Sequence, residues 1–134
     1  FVGDELVALF FPLLTGERFV ERSVAAATEL LRATGHEDPE GPWAPVGIGV
    51  HSGRAWFGVV GDSGHNELTA VGDAVNVAAR LAAAAGTGEV IVSVDAANAA
   101  GLDPNLERRT LELKGKSLGT DVVSVRIGPS PGAA

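Results

Sequence analysis

The sequence predicts a single domain of mixed α and β structure. Two long segments have the apolar spacing of amphipathic helices, several short segments have the apolar or alternating pattern of strands, and clusters rich in Gly and Pro separate them. With 134 residues, 46% of them hydrophobic, the chain is long enough to bury one core. We therefore expect one domain over residues 1–127 and a disordered tail over residues 128–134.

Composition excludes several classes of function. A net charge of −7 disfavours nonspecific binding to nucleic acid or to anionic membranes. No apolar run approaches the roughly 20 residues that span a bilayer, so the sequence predicts no membrane segment in this chain. The absence of Cys excludes disulfides and thiolate metal sites, which fits a cytoplasmic location. Because the chain has no Met and starts at Phe1, we expect it to be a piece of a longer protein.

The first third of the chain predicts a hairpin and then a helix. Gly3-Asp4 is a turn dipeptide, and the apolar run Leu6–Phe11 is typical of a strand buried on both faces. A helix follows over Glu17–Thr34, with a cap at Thr15 and its end at Gly35. Its apolar stripe consists of Val20, Val24, Ala27 and Leu31.

The middle of the chain predicts a loop and two strands. His36–Pro45 is polar and rich in Pro and Gly, so we expect an exposed loop in which Trp43 covers the edge of the core. Val46–Gly61 reads as two strands joined at Ser52-Gly53-Arg54. His51 ends the first strand, and we interpret it as structural rather than as a base, because no carboxylate is placed nearby in the sequence to orient it.

The segment Thr69–Leu81 predicts the end of a strand, a turn at Gly72 and a helix from Asp73. The strand itself is expected over Glu67–Val71, after a turn at residues 62–66. Asn76 and Arg80 are four residues apart and therefore share one helix face, where an amide and a guanidinium could hold phosphate oxygens and a sugar. The expected inward face comprises Val75, Ala78, Ala79 and Ala82. A solvated face with an incidental Asn and Arg is the alternative.

The last third predicts three more strands and a short helix. The strands are expected over Glu89–Ser93, Leu106–Leu113 and Val122–Ile127, and the helix over Asp95–Ala100. The only two lysines, Lys114 and Lys116, lie at a turn. They suggest contact with phosphate, although a solvated turn is the default interpretation.

Four segments together resemble the class III nucleotidyl cyclase catalytic domain: FVGDELVALF, GIGVHSGRAWFGVVG, TAVGDAVNVAARL and LELKGK. The resemblance implies a ferredoxin-like α+β fold, with an antiparallel-rich sheet and helices packed on it. It implies a head-to-tail homodimer with its sites between the protomers. It also implies conversion of ATP or GTP to the 3′,5′-cyclic nucleotide and pyrophosphate with two divalent cations, Mg²⁺ or Mn²⁺.

The resemblance assigns roles to five positions. Asp4 matches a metal-binding aspartate, Asn76 the residue that orients the ribose, and Arg80 the residue that stabilises the transition state. Thr69 matches the position that reads the purine, and a Thr there favours ATP over GTP. Lys114 matches the lysine that contacts the terminal phosphates.

The sequence also departs from the pattern of the family. The family's first metal-binding aspartate lies on a strand upstream of Phe1, and its purine-reading lysine falls one residue before Phe1. Gly47 stands where some relatives carry a phosphate-binding arginine. We therefore expect a truncated domain without its first strand, inactive in isolation, with an uncovered sheet edge that a second copy could cover.

Two other interpretations are open. The VGDE hairpin resembles the signature loop of diguanylate cyclases, but that family lacks both the HSG segment and the Asn-x-x-x-Arg helix. A cyclase-like module that binds nucleotide or a partner domain without turnover is the second alternative. An Asp in the upstream strand and a Lys before Phe1 would favour the enzyme over this regulatory module.

Overall fold

The computed structural model describes residues 5–62, 64–112 and 119–129. Within these ranges the chain forms four helices and six strands. The helices are α1 (Pro12–Thr15), α2 (Phe19–Ala33), α3 (Asp73–Ala84) and α4 (Val94–Ala99). The strands are β1 (Ile48–Val50), β2 (Trp56–Asp62), β3 (His65–Val71), β4 (Glu89–Ser93), β5 (Glu107–Leu111) and β6 (Thr120–Arg126).

The described strands form two sheets. The larger has the order β1-β4-β6-β5, in which β1 is parallel to β4 and the other two pairs are antiparallel. This arrangement confirms the predicted antiparallel-rich sheet. The second sheet is the hairpin β2-β3, which pairs from Trp56 opposite Val71 to Asp62 opposite His65. The strand therefore begins at His65 rather than at Glu67, because the ladder continues up to a two-residue connection.

Helices cover both faces of the larger sheet. Val90 and Val92 of the buried strand β4 pack in one cluster with α2 and α4. Ile91, between them, packs in a second cluster with Val77 and Leu81 of α3. Alternate residues of a strand point to opposite faces, so a strand covered on both sides needs a continuous apolar run. This explains the segment Val90–Val92.

Helix α2 confirms the predicted apolar stripe and corrects its predicted start. All four stripe residues are buried, and Leu31 is completely so. Thr15 does not cap this helix: it ends α1, its Oγ1 donates to the carbonyl of Phe11, and Arg18 precedes α2. Gly35 ends α2 as predicted, with a φ of 91° that favours glycine and with backbone bonds that close the last turn.

The N-terminal run Leu6–Phe11 is not the buried strand that the sequence predicts. These residues form no strand, and Leu6, Val7 and Leu9 are exposed. A run that is apolar on both faces becomes a buried strand only when other elements cover both faces and a neighbour pairs with its backbone. Within the described residues no strand pairs with this segment.

The loop after α2 corrects two further predictions. Trp43 is 75% exposed and donates its Nε1–H to the carbonyl of Ala33, so it lies on the end of α2 and does not cover the core. His36, predicted to be exposed, is buried. Its Nδ1 lies 2.9 Å from the carbonyl of Leu31, and its Nε2 accepts the Val46 N–H. Both ring nitrogens therefore satisfy backbone groups that burial would otherwise leave unpaired.

Candidate functional site

Helix α3 begins where the sequence predicts and presents the predicted pair to solvent. Gly72 precedes it with a φ of 142°, which only glycine adopts readily. Asn76 and Arg80 are both exposed, and four residues of helix separate them by about 6 Å along the axis. Within the described part of the chain, neither side chain makes a hydrogen bond or an ion pair. An amide and a fixed cation are thus available on one face.

The inward face of α3 is only partly the predicted one. Val77 and Leu81 are its buried residues, and neither belonged to the expected set. Ala78 and Ala82 do face the sheet, while Val75 and Ala79 are only half-buried. The helix is rotated relative to the prediction because the second core cluster recruits the larger side chains, Val77 and Leu81, against Ile91.

Glycines of β1 and the residues next to it let α3 lie directly against the strand. A Cβ on Gly49 would stand 2.6 Å from the carbonyl oxygen of Ala78 and closer still to the nitrogen of Ala82. A Cβ on Gly47 would stand 2.7 Å from the carbonyl oxygen of Ala85. These close approaches involve backbone atoms of α3 and of the residue that follows it. They therefore set the distance of the helix backbone from the strand, and not the conformation of a side chain. The position of Asn76 and Arg80 therefore depends on these two glycines.

The carboxylate of Glu89 forms hydrogen bonds both to the loop that follows α3 and to side chains of the sheet. Its Oε1 accepts the Gly86 N–H at 3.0 Å, and its Oε2 accepts from the Ser124 hydroxyl. The guanidinium of Arg109 lies 2.7 Å and that of Arg126 3.2 Å from Oε2. Burial raises the pKa of Glu89, but these hydrogen bonds and charges outweigh it and leave the pKa below its ordinary value.

Sequence reasoning missed this Glu89 cluster. The available signal was a carboxylate in an otherwise apolar strand, together with arginines in two later strands. Which arginines face which carboxylate depends on strand order and register, and the sequence does not state these.

Three predicted site residues remain. The structure describes one of them, and only the position of its backbone. Thr69 lies on β3 opposite Gly58, three residues before Gly72, so its strand leads directly into α3. Asp4 and Lys114 lie outside the described residues. The arrangement thus brings together the strand of Thr69 with the helix of Asn76 and Arg80.

His51 joins the ends of two strands. Its Nδ1 lies 2.8 Å from Oγ of Ser93, which is the last residue of β4 and is buried. This contact agrees with the interpretation of His51 as a structural histidine.

A family model described as the adenylate and guanylate cyclase catalytic domain matches residues 5–127. The chain belongs to this family. The chain is 32% identical over 83 residues to a terminal-differentiation-specific adenylate cyclase of Dictyostelium discoideum. It is 38% identical over 88 residues to a guanylate cyclase of Toxoplasma gondii. These alignments cover 60% and 64% of the chain but only 4% and 2% of the two cyclases.

The fold is that of class III cyclase domains. The crystal structure of the guanylyl cyclase Cya2 superposes with a TM-score of 0.71 at 22% identity. The match covers 92% of this chain and 66% of the Cya2 chain. The predicted fold is thereby confirmed.

The described residues contain neither a cluster of metal-ligating side chains nor a helix that could span a membrane. No three His, Cys, Asp or Glu side chains in this part come together as ligands of a metal ion would. None of the helices in the described ranges has the length and apolarity needed to cross a bilayer.

Proposed function

We propose that this chain is the catalytic domain of an adenylate cyclase, which converts ATP to 3′,5′-cyclic AMP and pyrophosphate. Membership of the cyclase family supports the reaction class. The observation that carries the proposal is the exposed and unpartnered pair Asn76 and Arg80 on α3 within the described residues. An exposed amide and an exposed guanidinium on one helix face offer the hydrogen-bond donors, the acceptor and the fixed charge that a ribose and a phosphate require.

Each proposed role follows from the chemistry of the side chain. Asn76 both donates and accepts hydrogen bonds and would orient the ribose, whose 3′-hydroxyl attacks the α-phosphorus. Arg80 would offset the charge that develops on the phosphoryl oxygens during this attack. Lys114 would hold the terminal phosphates, and Thr69 would contact the purine and favour ATP over GTP.

Divalent cations belong to the proposal as well. Asp4, which lies outside the described residues, would hold them with a second aspartate from an upstream strand. When bound, Mg²⁺ or Mn²⁺ would lower the pKa of the attacking hydroxyl and bind the polyphosphate. The remaining work would fall to the side chains of α3, which bind and orient the nucleotide.

We further propose that two copies assemble head to tail in the cytoplasm. The face of α3 that carries Asn76 and Arg80 has no cover from the described part of its own chain. The neighbouring hairpin exposes Phe57 and Val59 on one of its faces, an apolar area that would favour association. A second copy that places its Asp4 against this helix would complete the site.

The test measures cyclic AMP formation from ATP with Mn²⁺, for this chain and for a form extended upstream of Phe1. We expect turnover in the extended form, and a loss of about 100-fold or more in Asn76→Ala and in Arg80→Ala. Asn98→Ala and Arg22→Ala are matched controls, because these residues are exposed on other helices, and they should retain activity.

Three outcomes would contradict the proposal. Binding of ATP without any cyclic product in the extended form would favour the regulatory module. A larger yield from GTP than from ATP would overturn the assignment to adenylate cyclase and leave a guanylate cyclase. Full activity in both α3 variants would remove the proposed roles of Asn76 and Arg80.

A further inference from the structure

The indole of Trp56 lies against its own strand. A Cβ on Gly58 would stand 2.7 Å from Cζ2 and 3.1 Å from Cζ3 of the Trp56 indole. The six-membered ring of the indole therefore covers the backbone of Gly58, two residues further along β2. Any larger residue at position 58 would displace the ring. The glycine thus leaves room for the indole against the backbone, and this six-membered ring is called the plate below.

The outer face of this plate is open. Trp56 is 56% exposed, although Trp is one of the residue types with the most apolar surface to bury. An aromatic ring held against a strand, with its free face to solvent, is the arrangement on which proteins stack nucleic acid bases.

The register places the plate beside the position proposed to read the purine. Gly58, under the indole, pairs with Thr69, and Trp56 itself pairs with Val71. Directly opposed residues of an antiparallel pair share one face of the sheet. Trp56 and Gly58, two residues apart on β2, share one face of the hairpin, and the backbone of position 69 lies two pairs from Trp56 along the ladder.

The backbone of Trp56 also adjoins the start of α3. A Cβ on Gly72 would stand 3.4 Å from Cα of Ala55 and 3.8 Å from the nitrogen of Trp56. From this point Asn76 lies one helical turn further along, and Arg80 lies one turn beyond it. The strand and the helix that follow one another here thus carry an aromatic ring, an amide and a cation, which are groups that suit the base, sugar and phosphate of a nucleotide.

We infer that the indole of Trp56 is the stacking platform for the purine base of the bound nucleotide. This inference rests on the proposed function, because it identifies a further binding residue of the same site. Stacking does not distinguish purines, since every base has a π face. Trp56 therefore supplies affinity for the base, and the choice between adenine and guanine is left to hydrogen bonding at position 69.

The experiment compares the affinities of three ligands by calorimetry with Mn²⁺, using the upstream-extended form. The ligands are ATP, GTP and tripolyphosphate, which has no base. In Trp56→Leu we expect the affinities for ATP and GTP to fall by a similar factor of about ten, while that for tripolyphosphate is unchanged. Trp56→Phe keeps an aromatic face and should stay within about threefold of the unmodified protein.

Trp43→Leu is the matched control, because Trp43 is also exposed but lies at the end of α2. It should leave all three affinities unchanged. It also leaves Trp56 as the only Trp within residues 1–134, and ATP, but not tripolyphosphate, should quench its fluorescence. Sedimentation of every variant at the same concentration reports whether assembly has changed.

Two results would overturn the stacking role alone. One is an unchanged ATP affinity in Trp56→Leu. The other is an equal loss for ATP and tripolyphosphate accompanied by loss of the dimer, which would make Trp56 an assembly contact. If the unmodified protein bound neither ATP nor GTP, the proposed function itself would fail, and the stacking role with it.

Discussion

The close contact between Gly49 and α3 yields the sharpest test of how the site is positioned. A Cβ at position 49 would lie 2.6 Å from the carbonyl oxygen of Ala78, whereas ordinary contacts begin near 3.4 Å. In Gly49→Ala, helix α3 must therefore move away from the strand by about 0.8 Å or more. The new methyl group would meet the carbonyl oxygen of Ala78 and the nitrogen of Ala82. Both are backbone atoms, so no rotation of a side chain can relieve the clash.

Overpacking of this kind costs about 2 kcal/mol. For a domain of 134 residues this lowers the melting temperature by roughly 6–8 °C. The displacement also carries Asn76 and Arg80 with the helix. Because a misplacement of about 1 Å can cost on the order of 100-fold in rate, cyclase turnover should fall by this factor well below the melting temperature.

The assays are thermal unfolding by circular dichroism and cyclic AMP formation from ATP, both on the form extended upstream of Phe1. Gly128→Ala is the control, because a Cβ there meets nothing within 4 Å. A Gly49→Ala protein that melts and turns over like the unmodified one would refute the idea that contact with the backbone of β1 sets the position of α3. A protein with lower stability and full turnover would refute only the link to the site.

Two further predictions concern stability. Leu31→Ala removes a fully buried side chain and should lower the free energy of unfolding by about 3 kcal/mol in urea titrations. Leu30→Ala is the control, because Leu30 is 43% exposed, and it should lower the free energy of unfolding by less than about 1 kcal/mol. Equal losses in the two variants would contradict the assignment of Leu31 to the buried face of α2. The pKa of Glu89 is lower in the folded state, so its stabilisation is present above the ordinary value of 4.5 and is lost as pH falls through the folded pKa. At pH 7 the free energy of unfolding of Glu89→Gln should be about 2 kcal/mol lower than that of the unmodified protein, and this difference should shrink as the pH is lowered below 4.5. A difference that does not change with pH would show that the charge of Glu89 does not contribute to stability.

Sequence periodicity predicted the local structure correctly wherever a residue pattern is compatible with only one structure. The stripe of α2 and its end at Gly35 follow from spacing and from the conformational freedom of glycine, and both are confirmed. The start of α3 at Asp73 is confirmed for the same reason. Local rules decide these features because the atoms involved lie within a few residues of one another.

The errors arose where several elements compete for the same residues. Leu6–Phe11 has the pattern of a buried strand, but a strand forms only with a partner for its backbone. The inward face of α3 was misjudged because Ile91, on a distant strand, recruits Val77 and Leu81. Trp43 is exposed and His36 is buried, which is the reverse of the prediction, because the loop folds back onto the end of α2.

By itself, the sequence determined the family, most of the helices and strands, and the side chains Asn76 and Arg80, because motif spacing and periodicity are local properties of the chain. Only the tertiary structure decided what lies beside these side chains. The Glu89 cluster needs three strands in register, and the contact of Gly49 needs a helix packed on a strand. The pairing of Gly58 with Thr69 relates Trp56, the proposed stacking residue, to the position proposed to read the purine. Each of these joins residues that are distant in sequence, so strand order and register alone bring them together.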